Sequence, residues 1–513
     1  MRLTSFLIAG GLSLLVGCQS FNEQPPVEAQ PLEVPVSTPV IIEPVQVEVE
    51  APVAITDVWQ RIRLGLTFPI PDKKLVNQYR DWYIKHPKHL ARVSKRAQPF
   101  MYLIVDEIEQ RGLPMELALL PIVESSFDPF AYSHGAASGL WQFTSPMAKH
   151  FGLEMNWWYD GRRDVPAATT AALDMMEYLH GKTKQNWLYA IAAYNTGEGR
   201  VLNAVKRNQN SGKDTDFWSL DLPSETERYV PQLLALADVI QHAQEYGIAL
   251  YPIENQPVLK VVDTGSQIDL ALAAEMAGMT LTDLHALNPG FNQWATSPQG
   301  PHKLVLPLDK AELFESALAE SDEQDRLKWQ RYQIKPGDNL GLIAKRFHTT
   351  VGALQAVNGI SSNQIIAGKY LLIPISAKDP SKYLLSADQR LLKRQNSGRG
   401  NKMHHTVKSG DSLWILAKTY KVSVANLAKW NNMAPKDTLR LGQKLVIWQK
   451  GSSKSITRTI NYTVKAGDSL AKIASKFSVT VQQLLQWNDL SENKYLQPGQ
   501  KLTLYVDVTK SSA

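Results

Sequence analysis

Glu124 stands at the end of an apolar run, with Leu117, Leu120 and Val123 close before it. A carboxyl among such neighbours resists ionisation and keeps its proton near neutrality. A general acid for a glycosidic oxygen needs that property. Ser125 follows directly. Three further stretches carry groups suited to sugar: Ser138-Gly139-Leu140-Trp141-Gln142-Phe143, Ala192-Ala193-Tyr194-Asn195-Thr196-Gly197 and Glu227-Arg228-Tyr229-Val230-Pro231. Gly139 lets a backbone approach a ligand closely, Trp141 offers an apolar wall, and Gln142 offers an amide donor and acceptor. Singly, each stretch suits an ordinary helix end or loop equally well. Glycosidases commonly pair two carboxylates, and Asp128, Asp164 and Glu198 are the candidate partners of Glu124. Asp164, after Gly161-Arg162-Arg163, equally suits a helix N-cap, and Glu198 a solvated position beside glycine.

Other chemistries are excluded by the same inspection. His134 to Gly139 lacks the G-x-S-x-G elbow of a serine hydrolase. There is no H-E-x-x-H and no G-x-x-x-x-G-K-[ST]. One cysteine in 513 residues rules out an intrachain disulfide framework and a CxxC zinc site. His404-His405 is a weak metal pair at a strand edge. The expectation is an activity with no metal and no cofactor.

The elements that must position these groups are helical. Pro114 to Leu120, Pro166 to Leu179 and Tyr229 to Tyr246 are expected helices, the first two opened by a proline at a first-turn position. Residues 57–250 are therefore expected to form one all-α domain, with its core at about 100–245. Residues 53–100 are either an extension of it or loose chain.

Beyond residue 330 the chain repeats itself. Tyr332-Gln-Ile-Lys-Pro-Gly-Asp338, His405-Thr-Val-Lys-Ser-Gly-Asp411 and Tyr462-Thr-Val-Lys-Ala-Gly-Asp468 open three units at 331–375, 404–448 and 461–505. Each carries an Ile/Leu-Ala pair, an asparagine (Asn358, Asn431, Asn488) and a closing Gly-Lys or Gly-Gln-Lys followed by apolar residues. The pattern reads as strand, helix, helix, strand. Each Asp suits an N-cap and each Asn a helix C-cap. A fourth, degenerate copy is expected at 255–310, where Lys303-Leu-Val-Leu-Pro307 matches a closing strand but Gly-Asp is missing, which puts its sugar binding in doubt.

The ends of the chain differ in charge. Residues 330–513 hold 28 Lys and Arg against 9 Asp and Glu, while the whole chain is +6, so residues 1–329 are net −13. Part of the basic excess lies in the linkers 375–404 and 449–460. At the start, Leu3 to Gly17 is apolar but short of the ~20 residues of a spanning helix; it reads as a signal peptide over 1–17. Residues 25–52 hold seven prolines and no Lys or Arg. Extended at ~3.1 Å per residue, those 28 residues can reach ~80 Å, and 18–56 is expected to be a tether.

These motifs carry three resemblances. Leu15-Val16-Gly17-Cys18 resembles the bacterial lipoprotein box, which implies cleavage before Cys18 and its acylation, a firm hold on a bilayer. Gln19, not Asp, resembles the sorting signal for the outer membrane. The repeats resemble the LysM module, a βααβ fold that binds N-acetylglucosamine-containing glycans. That likeness implies sugar grooves near Asp338, Asp411 and Asp468 and the loops of Asn358, Asn431 and Asn488. Glu-Ser, Gly-Leu-Trp-Gln, Ala-Tyr-Asn and the Tyr-Val helix, in this order, resemble the lytic transglycosylase domain of the soluble-lytic, goose-lysozyme-like kind. The family usually has Met or a similar residue where Trp141 stands.

That resemblance implies a lysozyme-like all-α catalytic domain followed by small α+β modules, in the cell envelope and facing the periplasm. It implies Glu124 as acid and base, Ser125 orienting substrate or water, Gln142 and Asn195 binding sugar, and Tyr194 holding the geometry of Glu124. The implied partners are peptidoglycan glycan strands and a membrane, not nucleic acid, which an exported chain does not routinely meet. Two other readings use the same residues: a hydrolytic muramidase with a second carboxylate, and a non-catalytic wall-binding lipoprotein. Protein partners are not legible.

Overall fold

The computed structural model describes residues 54–133, 135–449, 457–488, 490 and 496–507. The signal peptide, Cys18 and the tether up to residue 53 lie outside the described residues. No helix among the described residues is long and apolar enough to cross a membrane.

Helices run from Val58 to Gln241 and enclose one core. The segment before residue 100, left open by the sequence, belongs to it. Val58–Gly65, Lys74–Lys85 and Pro87–Ala97 bury Val58, Trp59, Ile62, Val76, Tyr83, Leu90 and Val93. The Val58 amide donates to the Ile253 carbonyl at 2.8 Å, and Asp57 pairs with Glu254, so the two ends of the domain meet.

The Val165–Lys182 helix starts at an Asp164 cap and buries Ala168, Ala171, Ala172, Met175, Met176 and Leu179. Asn186 caps Trp187–Thr196, which ends at Gly197 with φ 90°. Two expected helices differ. Pro114 to Leu120 is a 3-10 turn, Met115–Leu119, followed by a short helix, Leu120–Ser125, with Pro121 in its first turn. The helix expected from Tyr229 begins at Ser224 and stops at Gln241, with Pro231 inside it. The missing Pro231 amide removes one hydrogen bond. The fully buried Val230, Leu233, Leu234, Leu236 and Val239 face outweighs that loss.

Four antiparallel strand pairs follow: Leu259–Asp263 with Lys303–Pro307, Lys328–Gln333 with Tyr370–Ile375, Asn401–Thr406 with Lys444–Gln449, and Thr457–Thr463 with Lys501–Asp507. The register pairs Val261 with Val305, Tyr332 with Leu371, His405 with Leu445 and Tyr462 with Leu502. Each pair encloses two short helices. The degenerate copy keeps this βααβ fold and continues past 310 into the helix Leu308–Glu320, which buries Ala311, Phe314 and Leu318. The linker 375–404 also folds, forming the helix Ala387–Gln395.

Candidate active site

Glu124 lies in the last turn of Leu120–Ser125. Ser126 and Phe127 follow at φ 52° and 57°, two consecutive non-glycine residues in the left-handed region. Such positions cost on the order of 1 kcal/mol or more each and persist where surrounding structure holds them. Here Phe127 is fully buried, and its amide reaches the Pro121 carbonyl at 3.1 Å. This turn ends the helix abruptly and fixes the direction of the Glu124 side chain.

Glu124 is partly buried, and its carboxyl is set deep among protein atoms. Burial raises its pKa to about 7; the hydrogen bond from Tyr229 opposes the rise, and the charge of Glu225 adds to it. The Tyr229 hydroxyl donates to Glu124 Oε1 at 2.5 Å. Tyr229 is the direct partner of the carboxyl, 105 residues away in sequence. Its own pKa is pushed well above the ordinary range, by burial first and then by the Glu124 charge.

Tyr194, expected to hold the geometry of Glu124, donates to the Trp141 carbonyl at 2.7 Å. It lies within the electrostatic reach of Glu124 and of Tyr229, and burial followed by Glu124 pushes its pKa up. This bond ties the Gly139–Gln142 loop to the helix Trp187–Thr196. Asn195 Oδ1 accepts from the Thr226 hydroxyl at 2.7 Å, tying its helix to the first turn of the helix that carries Tyr229. These contacts bring Glu124, Tyr194, Asn195 and the Gln142 loop together. The Ser125 hydroxyl instead turns back to the Pro121 carbonyl at 2.9 Å.

Two sequence expectations for the loop are corrected. Trp141 is fully buried, with its indole N–H on Thr169 Oγ1 at 3.1 Å, so it is core and not a substrate wall. Gly139 (φ 85°) is required by protein and not by ligand: a Cβ there would lie 1.7 Å from the Arg162 carbonyl oxygen. Gln142 sits at φ 49°, partly exposed, and its Nε2 donates to the Gly139 carbonyl at 2.7 Å. Arg162 pins this loop through Ala136 O (3.0 Å) and Ser145 Oγ (3.2 Å), while holding Asp160 at 2.8 and 2.9 Å.

Two of the candidate second carboxylates are engaged elsewhere. Asp164 caps its helix through the Ala167 amide and accepts from the Tyr159 hydroxyl at 2.8 Å. Asp128 accepts from the Phe130 amide at 2.9 Å. Glu198 opens the helix Glu198–Asn210. The carboxylate whose field reaches Glu124 is Glu225, exposed and one turn before Tyr229.

In the repeats, the marked side chains hold the fold. Asn431 donates to the carbonyls of Leu427 and Val446 at 2.8 and 2.7 Å and accepts from the Val446 amide at 2.7 Å. Asn358 and Asn488 make the same three bonds, as does Asn288 in the degenerate copy. The amides are therefore committed to binding the second helix to the closing strand. Asp338, Asp411 and Asp468 clamp the opening loop by accepting from the amides of Lys335, Lys408 and Lys465. A side chain of the first strand completes each clamp: Tyr332, His405 or Tyr462. The helix caps are the next residues, Asn339, Ser412 and Ser469.

The chain is similar to known proteins domain by domain. Residues 101–217 match the Transglycosylase SLT domain. Residues 332–374, 405–448 and 462–504 match the LysM domain, and 258–323 match the LysM-like domain of lytic transglycosylase MltD. The chain is 34% identical over 453 residues to the membrane-bound lytic murein transglycosylase D of Escherichia coli, covering 88% of this chain and 86% of that one. An autolysin of Enterococcus faecalis is 35% identical over 185 residues, 33% of this chain and 24% of its own. Among solved structures, an inactive variant of the lytic transglycosylase Slt of Pseudomonas aeruginosa aligns at 23% identity and TM-score 0.23, covering 29% of this chain and 24% of its own.

Proposed function

The chain belongs to the family of membrane-bound lytic murein transglycosylase D, and from that premise we propose that Glu124 alone serves as acid and then as base on peptidoglycan glycan strands. With a pKa near 7, close to half of the Glu124 carboxyls carry a proton at neutrality. That proton goes to the oxygen linking N-acetylmuramic acid to N-acetylglucosamine as the bond breaks. The carboxylate then takes the proton of the muramoyl 6-hydroxyl, whose oxygen closes on C1. The product is a 1,6-anhydro end, and no water is consumed. Tyr229 steadies the charged carboxylate between the two steps, and its hydrogen bond is strongest in that state. Gln142 and Asn195 bind the sugar's amide and hydroxyl groups.

The observation that carries this reading is one sheltered carboxyl, hydrogen-bonded by a buried tyrosine, with Asp128 and Asp164 engaged elsewhere. In the LysM modules we assign sugar contact to the loops that Asp338, Asp411 and Asp468 shape, not to the asparagine amides. We further propose that Cys18 is acylated and holds the protein to the outer membrane, facing the periplasm. The Pro-rich tether then lets the catalytic domain reach the wall. Turbidity clearance of purified sacculi by wild type and Glu124→Gln tests the catalytic assignment. Loss of clearance by at least a hundredfold, with sacculus binding kept, is expected; full activity of the variant would refute it.

A further inference from the structure

The segment 375–404 is more than a spacer. Its helix Ala387–Gln395 is held on three sides. The Ala387 amide donates to the Asn292 carbonyl of the degenerate module at 2.7 Å. The Arg390 guanidinium lies 4.7 Å from the centre of the Phe130 ring in the catalytic domain. Gln395 donates to Asn431 Oδ1 at 3.3 Å and accepts from the Trp448 indole at 3.0 Å, both in the second LysM module. The Tyr132 hydroxyl also reaches Asp437 of that module at 3.3 Å.

Between them lies a cleft of about 380 Å³, lined by Tyr132, Ser133, Arg394, Asn426, Lys429 and Asn432 among others, none of them acidic. The Arg394 guanidinium and the Lys429 ammonium have no hydrogen-bond or ion-pair partner among the described residues. Three acids lie near: Asp437, whose charge reaches Tyr132 and which accepts from the Ala434 amide at 2.8 Å, Asp128, whose charge reaches Arg390, and Asp160, which holds Arg162 and, at 3.3 Å, Arg163. Arg163 and Arg390 share the neutral Asn292 Oδ1 at 2.7 and 3.3 Å. Burial, then the neighbouring Arg163, pulls the Arg390 pKa down to about 9. An excess of positive charge at this seam favours an anionic ligand, and a guanidinium matches a carboxylate's two oxygens.

We infer that this seam is a subsite for the carboxylate-bearing peptide stems of the glycan, with Arg394 and Lys429 as its binding cations. The inference rests on the proposed peptidoglycan substrate. Tyr132 pairs with Ser138, and the Gly139 amide bonds the Ala131 carbonyl at 3.1 Å. The cleft therefore opens on the same loop that presents Gln142 to the sugar. A strand lying along Glu124 would carry its stems toward this seam. Its volume falls in the range of small-ligand sites.

The test compares stem-bearing glycan strands with the same strands stripped by an amidase. For Arg394→Ala/Lys429→Ala, KM on stem-bearing strands should rise roughly tenfold or more. Kinetics on stripped strands should be unchanged. Equal loss on both substrates, or no loss, overturns the subsite. A salt titration of the wild type gives a second, variant-free reading: KM should rise more steeply with salt on stem-bearing strands than on stripped strands, which keep only their lactyl carboxylates, and identical salt dependence on both also overturns it. Wild-type formation of anhydro ends on stripped strands is independent of the seam. Its absence would count against the proposed reaction instead.

Discussion

Replacing Tyr229 by Phe removes one oxygen from the site and keeps the ring that packs there. The lost hydroxyl donates to Glu124 Oε1 at 2.5 Å and favours the ionised carboxyl, opposing the effect of burial. A hydrogen bond to a charged group contributes about 1.5–3 kcal/mol, and each pH unit corresponds to ~1.4 kcal/mol. A neutral carboxyl keeps part of the same bond, so the lower end applies. The Glu124 pKa should rise by about one pH unit from its value of about 7. The acid form is lost as pH rises through that value, so the falling limb of kcat/KM moves up with it. The plateau rate should drop on the order of tenfold to a hundredfold, because the carboxyl is no longer held in place. The assay is kcat/KM against pH on soluble glycan strands. A falling limb that stays in place or moves down would refute the assignment of Tyr229 as the partner that favours the charged form.

Further outcomes follow from the same contacts. Burial raises Glu124 from 4.5 to about 7, so wild type should lose stability as pH rises through that interval and stay level above it. Glu124→Gln should therefore unfold at the same point as wild type near pH 4 and be more stable by about 3 kcal/mol at pH 8. Calorimetry across that range checks it, and a pH-independent difference would contradict it. Glu225→Gln removes the charge that raises Glu124, so the falling limb should move down by a few tenths of a pH unit at low salt and less at high salt. An upward move would exclude that coupling. Asn431→Ala strips three buried hydrogen bonds from the second LysM module and should destabilise it by ~2–4 kcal/mol. Hydrogen exchange at the Val446 amide reports the loss; an amide that stays protected would show the bonds to be dispensable.

Glu124 stood out in the sequence because Leu117, Leu120 and Val123 come close before it, and its carboxyl is indeed buried. Its partner was not legible, because Tyr229 comes from a helix 105 residues away, and only tertiary packing joins them. The motif around Tyr229 marked the segment without revealing the contact. Gly139 and Trp141 suggested ligand contact because glycine admits a close backbone approach and tryptophan offers an apolar wall. A backbone approach to Arg162 and a bond to Thr169 account for both. The repeats revealed their βααβ order through spacing alone. Spacing cannot separate a sugar-binding asparagine from one that clamps a strand, since both sit at the same loop. The linker helix Ala387–Gln395 was missed because its residues are mostly polar, and its anchors are a few contacts with three other modules.

The most direct measurement digests purified sacculi with the wild-type enzyme in water enriched in heavy oxygen, followed by mass spectrometry of the muramoyl ends. Intramolecular closure predicts 1,6-anhydro ends one water lighter than hydrolysis products, with no label taken up. Reducing ends carrying one solvent oxygen would show that water attacks C1, and that Glu124 works with a second carboxylate after all.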